Sequence, residues 1–211
     1  MAEFNAGLPE NSTGTAHIAP LADDELSAVQ EVVDVARKFS GYVPTSFRIM
    51  ARKPTLLLAF SSLVQVVMRE PGEVSTDLKW LIAHAVSASA GCRYCQAHTA
   101  ANSAKAGLPV AKIEALMEYE TSALFSATER AAVALALAAG QIPNATERKH
   151  FDALRPQFSE TGIVEIVAVI SLFGWLNRWN DTLASDLEAA PFDFANAHLR
   201  HSGWSAGKHG R

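Results

Sequence analysis

An all-α, single-domain helical bundle is the fold this sequence predicts, on three observations. Apolar residues recur at spacings of three and four along nearly the whole chain. The breaks between these runs carry Pro, Gly and capping residues rather than hairpin turns, and no alternating strand of convincing length is present. With 211 residues, 49% hydrophobic and 19% charged, the chain has material for one sizeable core.

Residues 1–20 are polar and are expected to be loose. A helix is predicted over 21–40, with Leu26, Val29, Val32, Val33 and Ala36 on one face and Gly41 ending it in the left-handed conformation. Pro44 and Pro54 open the next two stretches, and Pro71-Gly72 stops the second. Ser75 caps a helix over 76–90, with Asp77 suited to the positive end of the dipole. Gly91 closes it and leaves Cys92 at or just before the next helix, which runs to residue 106 and ends at Gly107-Leu108-Pro109. A short helix follows over 109–119. Ser126 and Glu129 form a capping box ahead of the apolar run 131–139, which Gly140 and Pro143 break. Helices over 146–154 and 161–187 complete the domain at 21–200. Residues 201–211, rich in Gly and Ser, are expected to be disordered.

The formal charge of −4 offers no basic surface to displace counterions from a phosphate backbone, so nucleic acid is not an expected partner. The apolar stretches 131–139 and 163–176 fall short of the ~20 residues a bilayer needs. No membrane partner is expected, and the start of the chain has neither a basic leader nor an apolar core, which points to the cytoplasm. The two cysteines are three residues apart, and in a reducing compartment such a pair is redox-active or metal-binding more often than a staple.

Cys92 and Cys95 at a helix start can come within disulfide reach, so the pair can shuttle between dithiol and disulfide without moving the fold. His98, three residues beyond Cys95, lies one turn on and is placed to take or relay a thiol proton. A thiolate is the nucleophile, and lowering a thiol pKa of about 8.5 takes a base, a cation or a helix N-terminus. Zinc is the competing reading, with Cys92, Cys95, His98 and His84 as ligands. Structural zinc gathers ligands from two separated knuckles, and the chain has no second cysteine pair, so neither a metal nor another cofactor is expected.

The runs Leu78-Lys79-Trp80-Leu81-Ile82-Ala83-His84-Ala85-Val86-Ser87 and Ala90-Gly91-Cys92-Arg93-Tyr94-Cys95-Gln96-Ala97-His98-Thr99-Ala100 resemble the helix–turn–CxxC–helix core of the alkylhydroperoxidase D and carboxymuconolactone decarboxylase superfamily. Phe125 to Ala139 and Ile163 to Asp181 are similar to the later half of its peroxidase-related members. The resemblance implies an alkylhydroperoxidase-D-like fold assembled as trimers or hexamers. It also implies thiol-dependent reduction of a small hydroperoxide in antioxidant defence, with a dithiol donor protein recharging the enzyme. It makes Cys95 the attacking cysteine and Cys92 the resolving one, whereas the helix dipole favours ionising Cys92; the nearness of His98 favours Cys95.

Departures from the family pattern bear on the proton path. Trp80 stands where peroxidase members carry a glutamate, and indole takes no proton. Tyr94 replaces a second histidine and donates hydrogen bonds but is a poor base. His84, four residues after Trp80 and on the same helix face, is the expected compensation, forming a relay with His98 that Tyr94 orients. The bland reading of His84 is a hydrogen-bonded core histidine. Two other functions compete: a carboxymuconolactone decarboxylase-like acid–base activity, whose practitioners generally lack the cysteine pair, and a non-catalytic redox-sensing or metal-holding oligomer.

Overall fold

The structure, a computed structural model, describes residues 14–210. The α-helices among them are α1 (Gln30–Ser40), α2 (Thr45–Met50), α3 (Pro54–Val64), α4 (Thr76–Ser89), α5 (Arg93–Lys105), α6 (Val110–Glu114), α7 (Ala127–Ala139), α8 (Arg148–Leu154), α9 (Glu160–Leu183) and α10 (Ala189–His198). No strand occurs among the described residues. The fold is therefore the all-α single domain expected. Pro54 sits in the first turn of α3, Gly41 ends α1 at φ +88°, and the Ser126–Glu129 capping box opens α7.

At the centre, α4 packs on α5, α7 and α9, and α10 lies against α5. Helix α4 holds this position because it is apolar nearly all round, burying Leu78, Leu81, Ile82, Ala83, Ala85 and Val86. Helix α9 is 24 residues long and contains an 18-residue window of mean hydropathy 1.4, enough to cross a bilayer by length and composition, which the shorter apolar stretch at 163–176 did not indicate. In this fold it is the long support of the bundle. Asn177 and Asn180 are buried along it, and the Glu165 carboxylate accepts from the backbone N–H groups of Glu73 and Val74 at 3.2 and 2.9 Å.

Four expectations are corrected. The helix over 21–40 is broken: residues Asp23–Glu25 and Ser27–Val29 form 3-10 turns and regular helix begins at Gln30. Arg48 takes the Leu21 carbonyl at 2.9 Å, so that acceptor is lost to a helix. The helix over 161–187 stops at Leu183, where Ala184 turns left-handed at φ +49°, and α10 follows after a buried Ser185-Asp186 crossing. The segment at 201–210 is ordered rather than disordered, since Trp204 and His209 are buried in it and an apolar anchor outweighs the glycines around it. Of the segment expected to be loose, residues 1–13 lie outside the described residues; Thr15 is tied by its N–H and hydroxyl to Asp186 Oδ1, both at 2.6 Å, and His17 N–H donates to the Leu183 carbonyl at 2.8 Å.

Candidate functional site

Gly91, at φ +75°, supplies the left-handed turn that ends α4 and starts α5 within three residues. Cys92 is consequently the N-cap of α5, its Sγ accepting from Cys95 N–H at 3.4 Å. Both cysteines are free thiols, 1% and 3% exposed. Burial pushes the Cys95 thiol well above its ordinary value, the neighbouring Cys92 adds to this, and the Asn180 amide, 3.6 Å from Cys95 Sγ, offsets only part. The easily ionised thiol that the sequence suggests for Cys95, from the nearness of His98, is not what the structure shows: desolvation prevails in a site this dry. Removing its proton therefore falls to a base at the moment of reaction.

Cys95 opens onto a cavity of about 380 Å³, and Cys92 does not. Tyr94, His98 and Asn180 line the same cavity. The remaining wall is mostly apolar and includes the aromatic rings of Phe39, Phe47, Phe60, Trp80 and Phe173, with Arg69 as a charged group in it. Trp80 is held there by stacking on Phe39, with centroids 6.3 Å apart, and by an edge contact with Phe173 at 5.9 Å. Where the family pattern has a carboxylate, this chain has a flat apolar wall.

The carboxylate comes instead from Glu188, the N-cap residue of α10. Its Oε2 lies 2.6 Å from His98 Nε2, while its Oε1 accepts from the Tyr94 hydroxyl at 3.1 Å and from Thr45 N–H. Burial pushes Glu188 up, but the His98 charge and hydrogen bond, with the Thr45 N–H, prevail and hold it below the ordinary glutamate value. An ionised Glu188 fixes the proton on His98 Nε2, leaving Nδ1 to face the Tyr42 hydroxyl at 3.4 Å. Burial and Glu188 together keep the Tyr42 phenol protonated far above its usual range. The Tyr94 ring lies against the His98 ring, centroids 4.3 Å apart, so Tyr94 positions the imidazole both directly and through Glu188.

Four of the five residues singled out in the sequence thus meet: Cys92 and Cys95 at the helix start, and Tyr94 and His98 beside Cys95. The structure does not bring His84 to the cavity. It is buried in α4 with Nδ1 3.1 Å from Thr99 Oγ1, and the Thr99 hydroxyl itself turns to the Cys95 and Gln96 carbonyls at 2.7 and 3.2 Å. His84 Nδ1–H is thereby the donor, a structural bond, and no relay with His98 is assembled. Burial lowers its pKa to about 4. The unfolded chain binds a proton near 6.5 that folded His84 refuses until about 4, so stability falls as the pH drops through that window, by about 3 kcal/mol in total. His84→Gln should remove this part of the slope, seen as a flatter curve of urea midpoint against pH.

Sequence reading missed Glu188, Tyr42 and Asn180. Glu188 stands 90 positions from His98 in the chain, and its one signal was Glu188-Ala-Ala-Pro191 as a helix start.

Comparison with known proteins agrees with this architecture. The profile of the carboxymuconolactone decarboxylase family matches residues 54–138. The debrominase Bmp8 in its apo form is similar at 32% identity and a TM-score of 0.77, covering 85% of this chain and 96% of its own. A cysteine-to-alanine variant of Bmp8 in complex with 2,3,4-tribromopyrrole matches at 31% identity and 0.78, over the same shares of 85% and 96%. A peroxidase-related protein from Silicibacter sp. TM1040 has the same fold at 23% identity and 0.74, covering 87% and 96%. No curated protein sequence matches the chain.

Proposed function

Because the chain belongs to the carboxymuconolactone decarboxylase family, within the alkylhydroperoxidase D superfamily, we propose that it is a dithiol oxidoreductase that reductively debrominates a small flat aromatic molecule. The observation that carries this reading is that Cys95 lines a cavity of about 380 Å³ with five Phe and Trp rings in its wall, a volume suited to one ring with bulky substituents. The named activity and bound tribromopyrrole of the similar Bmp8 structures support it.

In the first step His98 accepts the Cys95 proton and the thiolate attacks bromine. The C–Br bond breaks, the ring carbon keeps the electron pair and takes up a proton, and Cys95 becomes a sulfenyl bromide. Cys92 then attacks the Cys95 sulfur, the S–S bond forms and bromide leaves. The carbon gains the two electrons the sulfur pair loses, and an external dithiol restores the thiols by exchange. His98, held by Glu188 and Tyr42, both relieves Cys95 of its proton and is charged to return one to the ring.

Hydroperoxide reduction is the second reading, favoured by the same free thiol pair: the O–O bond replaces C–Br, an alcohol leaves, and Cys95 sulfenic acid takes the place of the bromide. The two separate on one experiment. Reduced protein is mixed in parallel with tribromopyrrole and with cumene hydroperoxide, and bromide, alcohol and free thiols are counted. One bromide released per thiol pair lost supports debromination. Oxidation by the hydroperoxide with no bromide from the pyrrole overturns it in favour of the second reading.

A further inference from the structure

A second set of reactive side chains converges on the cysteine that the cavity does not reach. Ligand atoms of Cys92, Asp181 and His209 lie within 4.8 Å of one another, and none of the three residues lines the aromatic cavity. His209 is 1% exposed, and its Nδ1 donates to the Ser185 carbonyl at 2.8 Å. That bond fixes the tautomer and leaves Nε2 as a bare acceptor, buried and without a hydrogen-bond partner, 3.5 Å from Asp181 Oδ1. The segment carrying it is docked on the helix start: Trp204 Nε1 donates to the Arg93 carbonyl at 3.2 Å, and Leu187 N–H to the His209 carbonyl at 3.0 Å.

A lone pair facing a carboxylate in a buried place is unfavourable until a cation comes between them. The proton at hand is that of the Cys92 thiol. Resting on the reading of Cys92 and Cys95 as the redox pair, we infer that His209 is the proton acceptor for Cys92, with Asp181 stabilising the imidazolium that forms. The Cys92 S–H bond breaks and its proton passes to His209 Nε2. The thiolate then attacks oxidised Cys95, the S–S bond forms, and the group on Cys95 departs with the electron pair. The reach is longer than a hydrogen bond in the resting protein and closes on reaction. Burial, foremost, holds His209 below the ordinary histidine value and so vacant at rest, while the Ser185 carbonyl and Asp181 pull it upward. Lys208, paired with Asp181 at 3.0 Å, is the other charge at the cluster and tempers that carboxylate. Each sulfur of the pair then has its own imidazole: His98 at Cys95, His209 at Cys92.

Dithionitrobenzoate tests this without any physiological substrate. Its first coloured thiolate reports mixed-disulfide formation at Cys95, and its second reports displacement by Cys92. In His209→Gln the first phase should be unchanged and the second about a hundredfold slower, with recovery in added imidazole. Asp181→Asn, at a half-exposed position, should slow the second phase about tenfold. A second phase unchanged in both variants overturns the inference. Equal slowing of both phases without imidazole rescue overturns it as well, as does zinc bound stoichiometrically by the reduced protein and lost in His209→Gln. If the unsubstituted protein never releases the second equivalent, the dithiol reading itself has failed, independently of His209.

Discussion

Cys95→Ser should abolish turnover, by at least about a thousandfold, and leave no covalent change on the protein after exposure to substrate. Cys95 is the sulfur that faces the cavity, with Asn180 and His98 beside it, and a serine hydroxyl there is no nucleophile without a far stronger base. Cys92→Ser should also stop turnover, yet permit one round: Cys95 oxidises, no partner resolves it, and the sulfenyl species hydrolyses to sulfenic acid. Dimedone capture with mass spectrometry separates the two variants, because only Cys92→Ser should yield an adduct on Cys95. An adduct on Cys92 in the Cys95→Ser protein would reverse the order of attack. The helix dipole alone would favour that reversed order, so the experiment weighs the dipole against access through the cavity.

Glu188→Ala should cost about 3 kcal/mol of stability and about a hundredfold in rate, effects that arise together from one carboxylate. Without it the His98 Nε2–H, the Tyr94 hydroxyl and the Thr45 N–H lose their acceptor at once, and α2, α5 and α10 lose their common tie. Glu188→Gln keeps an acceptor but not the charge, so it should fold better while His98 loses its orientation and its counter-ion. The carboxyl is depressed in the folded state, so its contribution is fully present above the ordinary value of 4.5 and is lost as the pH falls through the lower folded value. The stability gap between the protein and Glu188→Gln, read from urea midpoints, should be wide at neutral pH and narrow below 4.5. A gap that does not change with pH would show that the carboxylate is not the charged partner of His98.

The contrast between His84 and Glu188 shows which parts of this molecule were readable from its residues. The helix–turn–CxxC–helix unit was, because Gly91 and the apolar spacing on either side of it are local signals that each reinforce the other. The place of His98 near Cys95 followed from helical spacing, while Tyr94 was marked out only by the family resemblance. His84 shares a helix face with Trp80, yet being on one face does not decide which neighbour a side chain meets: Thr99 on α5 claimed it. The carboxylate was hidden because Glu188 depends on Ala184 taking a left-handed turn that nothing in the run Thr182-Leu183-Ala184-Ser185 announces. Burial of Trp204 and His209 was hidden for a related reason: one tryptophan docking on the Arg93 carbonyl overrides the composition of the glycine-rich segment around it.

The near-complete enclosure of both sulfurs has a consequence for how the cycle turns over. The aromatic-lined cavity reaches the pair through Cys95, and Cys92 is not part of its lining. An electron acceptor and an electron donor that both approach Cys95 through this cavity exclude one another. The two half-reactions alternate, product must vacate before reductant arrives, and a slender thiol is better fitted to the passage than a bulky one.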